Sequence, residues 1–449
     1  MLFFLVKMAN NSWERSLSCS LLCLLLGFAS PLTFNAQQVG LLKSYVPTEY
    51  RPPFWAKNCH LATILGSLSI QEKWFGFPQT IPDFQRNEFQ SSDGDYVAVD
   101  FLQGLGEEKK SSSSNITVVI VHGMESGTRK PFCAKIALTL QRAGFNVASI
   151  MFRGCGETMP QKIKTYHAGF TEDLDLVVRR LGADGDQKLI LCGFSLGGNV
   201  ILKYLGEIGE LAIELGIIGS AVACVPFEWT STIEKLDGSF FNRNAYSRNF
   251  LETLIPKALH QAERFPKARL DVERLKNART IGEYDDAFVA PVFGFSGRAD
   301  YYQKISCFQY LHSVRVPSYC INALDDPFIE KSMLPSYDSD RVKANSSKSI
   351  GAARQSFITA LLHALVSIWQ KIQHVVMSAV EQKRKINEPL QSCCASPFFR
   401  LHCKQYGGHI GFVQADYWAK ADSCWLANEL VNFAKHLRAN GISGGGVPL

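Results

Sequence analysis

Short apolar runs alternate with amphipathic stretches through the middle of the chain. Thr117–Val121 (TVVIV), Asn146–Met151 (NVASIM), Lys188–Cys192, Gly219–Val225 and Ser318–Ala323 are apolar-rich and bounded by polar or glycine-containing segments. Runs of that length without polar alternation suit strands covered on both faces, as in a parallel sheet. Between them, Phe132–Ala143, Phe170–Leu181 and Gly198–Leu205 carry helical spacing, and a last helix is expected over Tyr417–His436. Strands alternating with helices predict a doubly wound, mostly parallel α/β sheet. In such sheets the chemistry collects beyond the carboxyl ends of the strands.

Two stretches break the alternation. Residues 228–312 are rich in Arg, Lys, Asp and aromatic side chains and read as a helical cap inserted in the domain. Residues 342–396 form a second insertion, in which Ile358, Leu361, Leu365, Ile368, Ile372 and Val375 mark one face of a helix. Packing against its own domain is the expected role of that face. Contact with a membrane is the alternative, with Lys371, Lys383, Arg384 and Lys385 placed to meet anionic headgroups.

Residues 1–36 differ from the rest. Lys7 and Arg15 precede the apolar run Leu17–Ala29, which is short of the roughly twenty residues of a membrane span and fits a signal peptide or signal anchor. That reading implies a membrane-associated, secretory or organellar protein. A buried N-terminal helix is the alternative.

Composition narrows the function. With 449 residues, 46% of them hydrophobic, the chain is long enough for one large domain with insertions. Its 47 basic and 41 acidic residues are spread evenly, so a net charge of +6 does not select a nucleic-acid partner. The 13 cysteines lack C-x-x-C pairs and several lie in predicted strands, which fits reduced, buried thiols. Adjacent Cys393 and Cys394 do not have metal-ligand spacing, and no phosphate-binding G-x-x-x-x-G-K-[ST] run occurs. Neither metal nor cofactor is expected.

The candidate chemistry centres on Ser195 in Gly193-Phe-Ser-Leu-Gly197, directly after a strand and before a helix. Such a turn lifts the hydroxyl clear of the sheet and brings backbone N–H groups to a helix N-terminus. A serine nucleophile needs an imidazole base and a carboxylate to orient it. Asp325 and Asp326 follow a strand, and His409 lies in the glycine-bounded turn Gly407–Phe412, so the order is Ser, Asp, His. Asp326, immediately before Pro327, is the preferred acid; Asp325 remains the alternative. A tetrahedral oxyanion requires N–H donors, for which Leu196 and Met124 are placed. His122 and Arg153 read as braces of the loops they occupy.

Several motifs occur together in order: Arg51-Pro-Pro-Phe-Trp-Ala-Lys-Asn-Cys-His60, the HGMES loop at 122–126, Phe152-Arg-Gly-Cys-Gly156, Gly193–Asn199, Asp325-Asp-Pro-Phe328 and Gly407–Phe412. Over residues 50–440 the chain resembles the AB hydrolase 4 family, which includes YheT-type esterases and eukaryotic lipases and phospholipases. The resemblance implies an α/β-hydrolase fold with a cap, and a Ser-Asp-His hydrolase acting on carboxylic, often lipid-like, esters. It also implies members held at membranes by an N-terminal segment. The stretch between Asp326 and His409 is longer than the family pattern. Some relatives carry H-x-x-x-x-D, but here His167 is followed at that offset by Glu172, so acyl transfer is not supported. An acyltransferase of the same fold and a non-catalytic lipid-binding protein are the alternative functions.

Overall fold

The computed structural model describes residues 31–67, 80–105, 116–157, 159–183, 185, 187–335, 395–414 and 424–441. The chain forms two compact units, residues 1–334 with 396–449, and residues 335–395. The first unit carries everything described below; the amphipathic face expected at 358–375 and the Cys393–Cys394 pair lie outside the described residues, as do residues 1–30.

An eight-stranded sheet organises the first unit. Its strands are β1 (Gln85–Gln90), β2 (Tyr96–Leu102), β3 (Ile116–Val121), β4 (Asn146–Met151), β5 (Lys188–Phe194), β6 (Ile217–Ala223), β7 (Ser318–Ala323) and β8 (Phe399–Lys404). They lie in the order β1-β2-β4-β3-β5-β6-β7-β8, parallel from β4 to β8 and antiparallel at β1 and β2. All six residues of β3 and of β7 are buried, the signature of strands covered on both faces.

The helices used below are α1 (Pro31–Ser44), α2 (Cys59–Leu65), α3 (Pro131–Arg142), α4 (Glu172–Gly182), α5 (Leu196–Ile208), α6 (Trp229–Gly238), α7 (Arg248–Arg264), α8 (Arg298–Ile305) and α9 (Trp425–Gly441). Ile116, Val118 and Ile120 of β3 point to one face, where they share a core with Ile136 and Leu140 of α3 and Leu430, Phe433 and Leu437 of α9. The period of two in β3 sends Val119 and Val121 to the opposite face. Helix α5 packs over β6 on that side, where a Cβ on Gly198 would come within 2.7 Å of Val225 and 3.5 Å of Val222.

Strands β3 to β7 and helices α3, α4 and α5 lie where the hydrophobic pattern predicts them, with shifts at the ends. Helix α5 begins at Leu196, two residues earlier than its apolar spacing indicates, because Gly197 and Gly198 are part of its first turn. The β1–β2 hairpin is not among the elements expected from the sequence: β1 is QRNEFQ, with five of its six residues exposed and no apolar period, whereas β2, YVAVDFL, does carry buried apolar positions. Strand β1 is joined to its neighbour by an ion pair. Arg86 of β1 grips Asp100 of β2 with two bonds of 2.8 Å, and Thr128 also donates to that buried carboxylate.

Between β6 and β7 the chain leaves the sheet as α6, α7, α8 and shorter helical turns. This is the segment that the composition marks as a cap. The N-terminal α1 and the chain after it are fastened to α9 by Glu429, whose buried carboxylate accepts from Tyr45 Oη at 2.9 Å, Thr48 N–H at 3.0 Å and Tyr319 Oη at 3.2 Å. Among the described residues no helix is long and apolar enough to cross a membrane.

Candidate active site

Ser195 sits at the sharp turn from β5 into α5 with φ 53° and ψ −127°, a left-handed value for a non-glycine residue. Such a conformation persists only when its surroundings fix it. Two contacts do so here. Ser195 N–H donates to Ala223 O of β6 at 2.8 Å, and Gly197 lets the helix start close under β3, since a Cβ there would lie 2.1 Å from Val121 O. Only glycine fits that position without moving the strand.

His409 hangs from the loop after β8. Strand β8 pairs in register with β7, from Ser318 opposite Phe399 to Ala323 opposite Lys404, so the chain rejoins the sheet after the insertion and delivers His409 beside Ser195. Its Nε2 lies 2.9 Å from Ser195 Oγ, and its Nδ1 lies 2.8 Å from Asp326 Oδ2. The Asp326 carboxylate is itself fixed, since Oδ1 accepts the Phe328 N–H at 2.8 Å. Phe328 stacks on the imidazole with ring centres 4.1 Å apart, excluding water from one face of it.

The two aspartates take different positions. Asp326 faces the imidazole, whereas Asp325 Oδ1 accepts the Gly408 N–H at 3.0 Å and so holds the loop that carries His409. Burial pushes the Asp325 carboxyl above its ordinary range. Thr63 of α2 secures the same loop, its hydroxyl accepting the His409 N–H at 2.9 Å. Sequence reasoning missed Thr63. The available signal was Asn58, which caps α2 by accepting from His60 and Leu61 N–H and thereby aims the helix at the His409 loop.

Met124 and Leu196 both lie at Ser195. Leu196 is the first residue of α5, so its N–H has no acceptor within the helix. The Met124 N–H is oriented through the peptide it shares with Gly123. Gly123 O accepts from Ser126 N–H at 3.2 Å and from His122 Nδ1 at 2.8 Å, and in a trans peptide the N–H points opposite to that carbonyl. His122 completes the brace by accepting the Phe152 N–H on Nε2 at 3.2 Å. Burial holds its pKa down at about 4, so the ring stays neutral, with the proton on Nδ1 that this bonding requires.

Ser195, His409 and Met124 open into a cavity of about 240 Å³, whose apolar lining includes Phe132, Phe194, Phe250, Phe328 and Ile410. Phe250 comes from α7, so the inserted helices supply part of the wall. Cys224, Asp326 and His409 offer ligand atoms within 4.8 Å of one another. They do not form an open metal set. Both imidazole nitrogens are engaged by Ser195 and Asp326, and burial pushes the Cys224 thiol well above its ordinary pKa.

Residues 116–357 match the family described by the α/β-hydrolase fold. The chain belongs to that family. Among its relatives is the Escherichia coli (strain K12) protein named "Putative esterase YheT", 28% identical over 294 residues that cover 65% of this chain and 82% of that one. Monoacylglycerol lipase ABHD2 of Mus musculus is 27% identical over 309 residues, 66% of this chain and 69% of that one. Phospholipase ABHD3 of Bos taurus is 24% identical over 293 residues, 65% and 68% of the two chains. These are relatives of the kind to which the ordered motifs point.

Two further residues singled out by sequence are structural in this α/β hydrolase. Arg153 is buried, bonded to Asp173 at 2.9 and 2.5 Å and to Asp93 at 2.5 Å. His167 lies among Phe170, Phe293, Phe295 and Tyr301, accepts the Gly169 N–H at 3.1 Å, and is held by burial at a pKa of about 3. Because the folded value lies below the unfolded 6.5, the unfolded chain takes up that proton first as pH falls. His167 therefore contributes stability that is present above about pH 6.5 and is lost as pH falls toward 3. A His167→Phe variant should lose less unfolding free energy between pH 7 and pH 4 than the unsubstituted protein, measured by denaturant titration at each pH. Equal losses would remove His167 from the account.

Proposed function

We propose that this chain hydrolyses carboxylic esters of acyl or lipid-like type, with Ser195 as nucleophile. The observation that carries the reading is the unbroken hydrogen-bonded line from Ser195 Oγ through His409 to Asp326. His409 takes the serine proton as Oγ attacks the ester carbonyl, and Asp326 keeps Nδ1 protonated and stabilises the imidazolium. The negative charge that develops on the carbonyl oxygen is met by Met124 and Leu196 N–H. Collapse of the tetrahedral species expels the alkoxide, which receives the proton from His409 and leaves an acyl-enzyme. Water then enters by the same route and releases the acid.

Ester cleavage is the chemistry shared by the names of the relatives, which include a phospholipase and a monoacylglycerol lipase. The aromatic and aliphatic lining suits an apolar acyl chain, and burying such a chain contributes about 0.8 kcal/mol per methylene. A fluorophosphonate should label the purified protein stoichiometrically and leave a Ser195→Ala variant unlabelled. Hydrolysis of p-nitrophenyl esters of graded length should then show an optimum set by the size of the cavity. A folded protein that takes no label would overturn the proposal, and a dominant transfer product in the presence of an alcohol would replace hydrolysis by acyl transfer.

A further inference from the structure

The loop that carries Met124 is fastened to the inserted helices by one ion pair. Gly123, Met124, Glu125 and Ser126 form a four-residue turn closed by the Ser126 N–H to Gly123 O bond, and Glu125, its third residue, has φ 52°. Glycine is the usual occupant of that position, because a Cβ there is strained. A glutamate is therefore retained against local preference, and its side chain accounts for it. Its carboxylate reaches Lys257 Nζ of α7 at 2.7 Å with one oxygen and accepts from Tyr166 Oη at 2.9 Å with the other. The Glu125 N–H also donates to Tyr166 Oη at 2.9 Å.

Glu125 and Lys257 are only 7% and 30% exposed, so solvent weakens their attraction less than that of a surface pair. The anchor on the other side is rigid. Tyr166 is buried and stacks on Phe152 with ring centres 5.0 Å apart, and Phe152 also donates its N–H to the His122 ring that braces Gly123. The inserted helices touch the acid loop too. Lys235 Nζ of α6 donates to Asp326 O at 3.0 Å and Ile329 O at 2.8 Å, while Asn242 Nδ2 donates to Pro327 O at 2.9 Å.

We infer that Glu125 and Lys257 are positioning residues: their ion pair holds the left-handed turn that aims the Met124 N–H at the oxyanion, so that the oxyanion hole is complete only while α7 is docked. Neither side chain touches the reacting atoms. A cap displaced by a bulky or incorrectly seated acyl chain would withdraw Lys257 and slacken the turn. The fold thereby couples acyl fit, sensed at Phe250 on the same helix, to stabilisation of the transition state.

This inference rests on the ester-hydrolase reading of Ser195, and the experiment separates the two. Lys257→Met keeps the length of the side chain and removes its charge. It should lower kcat by about tenfold, less than the 100- to 1000-fold that accompanies outright loss of an oxyanion donor, with KM changed less than about twofold. The rate of phosphonylation by a fluorophosphonate should fall by the same factor, since that reaction also places charge in the oxyanion hole. Glu125→Gln should behave alike, and Lys257→Arg should restore most of the rate. Glu125→Gly, which relieves the backbone strain but removes the carboxylate, should still lose kcat, because strain relief does not replace the tie to Lys257. Unchanged kcat and phosphonylation in Lys257→Met would overturn the inference, as would a loss confined to KM. Failure of the unsubstituted protein to react with the fluorophosphonate would instead bring down the reading of Ser195, and the inference with it.

Discussion

Replacing Ser195 or His409 by alanine is expected to lower kcat by about a millionfold, and Asp326→Asn by about ten-thousandfold, whereas Asp325→Asn should cost far less. The separation between the two aspartates follows from what each touches. Asp326 Oδ2 meets His409 Nδ1 at 2.8 Å, and an asparagine there can present its amide to Nδ1 and stabilise the wrong tautomer. Asp325 accepts the Gly408 N–H with its Oδ1, and an asparagine oxygen can accept the same bond. Steady-state kinetics on one ester, with circular dichroism to confirm folding, provides the check. Because triad members act as a unit, the Ser195→Ala/His409→Ala double variant should be scarcely slower than either single one. A larger loss at Asp325 than at Asp326 would exchange their roles. Comparable residual activity in all four variants would remove the triad.

The second large effect concerns stability. Arg153 and Asp173 are each 2% exposed at the side chain, and their two-pronged pair is extended by Asp93. Arg153→Met leaves the Asp173 carboxyl buried without its partner; burial already holds its pKa up at about 6, so it must stay charged in the interior or take up a proton, and breaking such a pair costs about 3–5 kcal/mol. Arg153→Met should therefore lower the unfolding free energy by that amount in urea titrations. The Arg153→Met/Asp173→Leu double variant should lose less than the sum of the two single changes, because it leaves no unpartnered carboxyl at position 173. Strict additivity would show that the pair does not act as one unit. The guanidinium also lies 5.2 Å from the centre of the Phe170 ring, so part of the loss is packing. Since the pair joins the loop after β4 to α4 and neither residue lines the Ser195 cavity, KM should change little in the fraction that folds.

The legibility of this protein follows the range of the forces involved. Strands β3 to β7 were readable because burial on both faces demands unbroken apolar runs, a condition written locally in the chain. Ser195 was readable because its turn is sterically possible only with glycine at 197, where a Cβ would collide with Val121 O. The order of serine, aspartate and histidine followed from their places in the loops after β5, β7 and β8. By contrast, β1 consists of exposed polar residues that carry no period to announce it, although its partner β2 (YVAVDFL) has an apolar pattern that could have been read.

The sequence by itself determined the parallel α/β architecture, the glycine-flanked turn at Ser195 and the short set of residues that the fold brings to it, because each depends on local sterics or on strand-by-strand burial. Tertiary structure decided the rest. It placed Asp326, not Asp325, against the imidazole, it brought Thr63 to His409 across 346 positions of sequence, and it closed the Lys257–Glu125 pair across 132. Hydrogen bonds and ion pairs require a partner within about 3 Å, and no local pattern specifies which distant side chain a fold will bring to that distance.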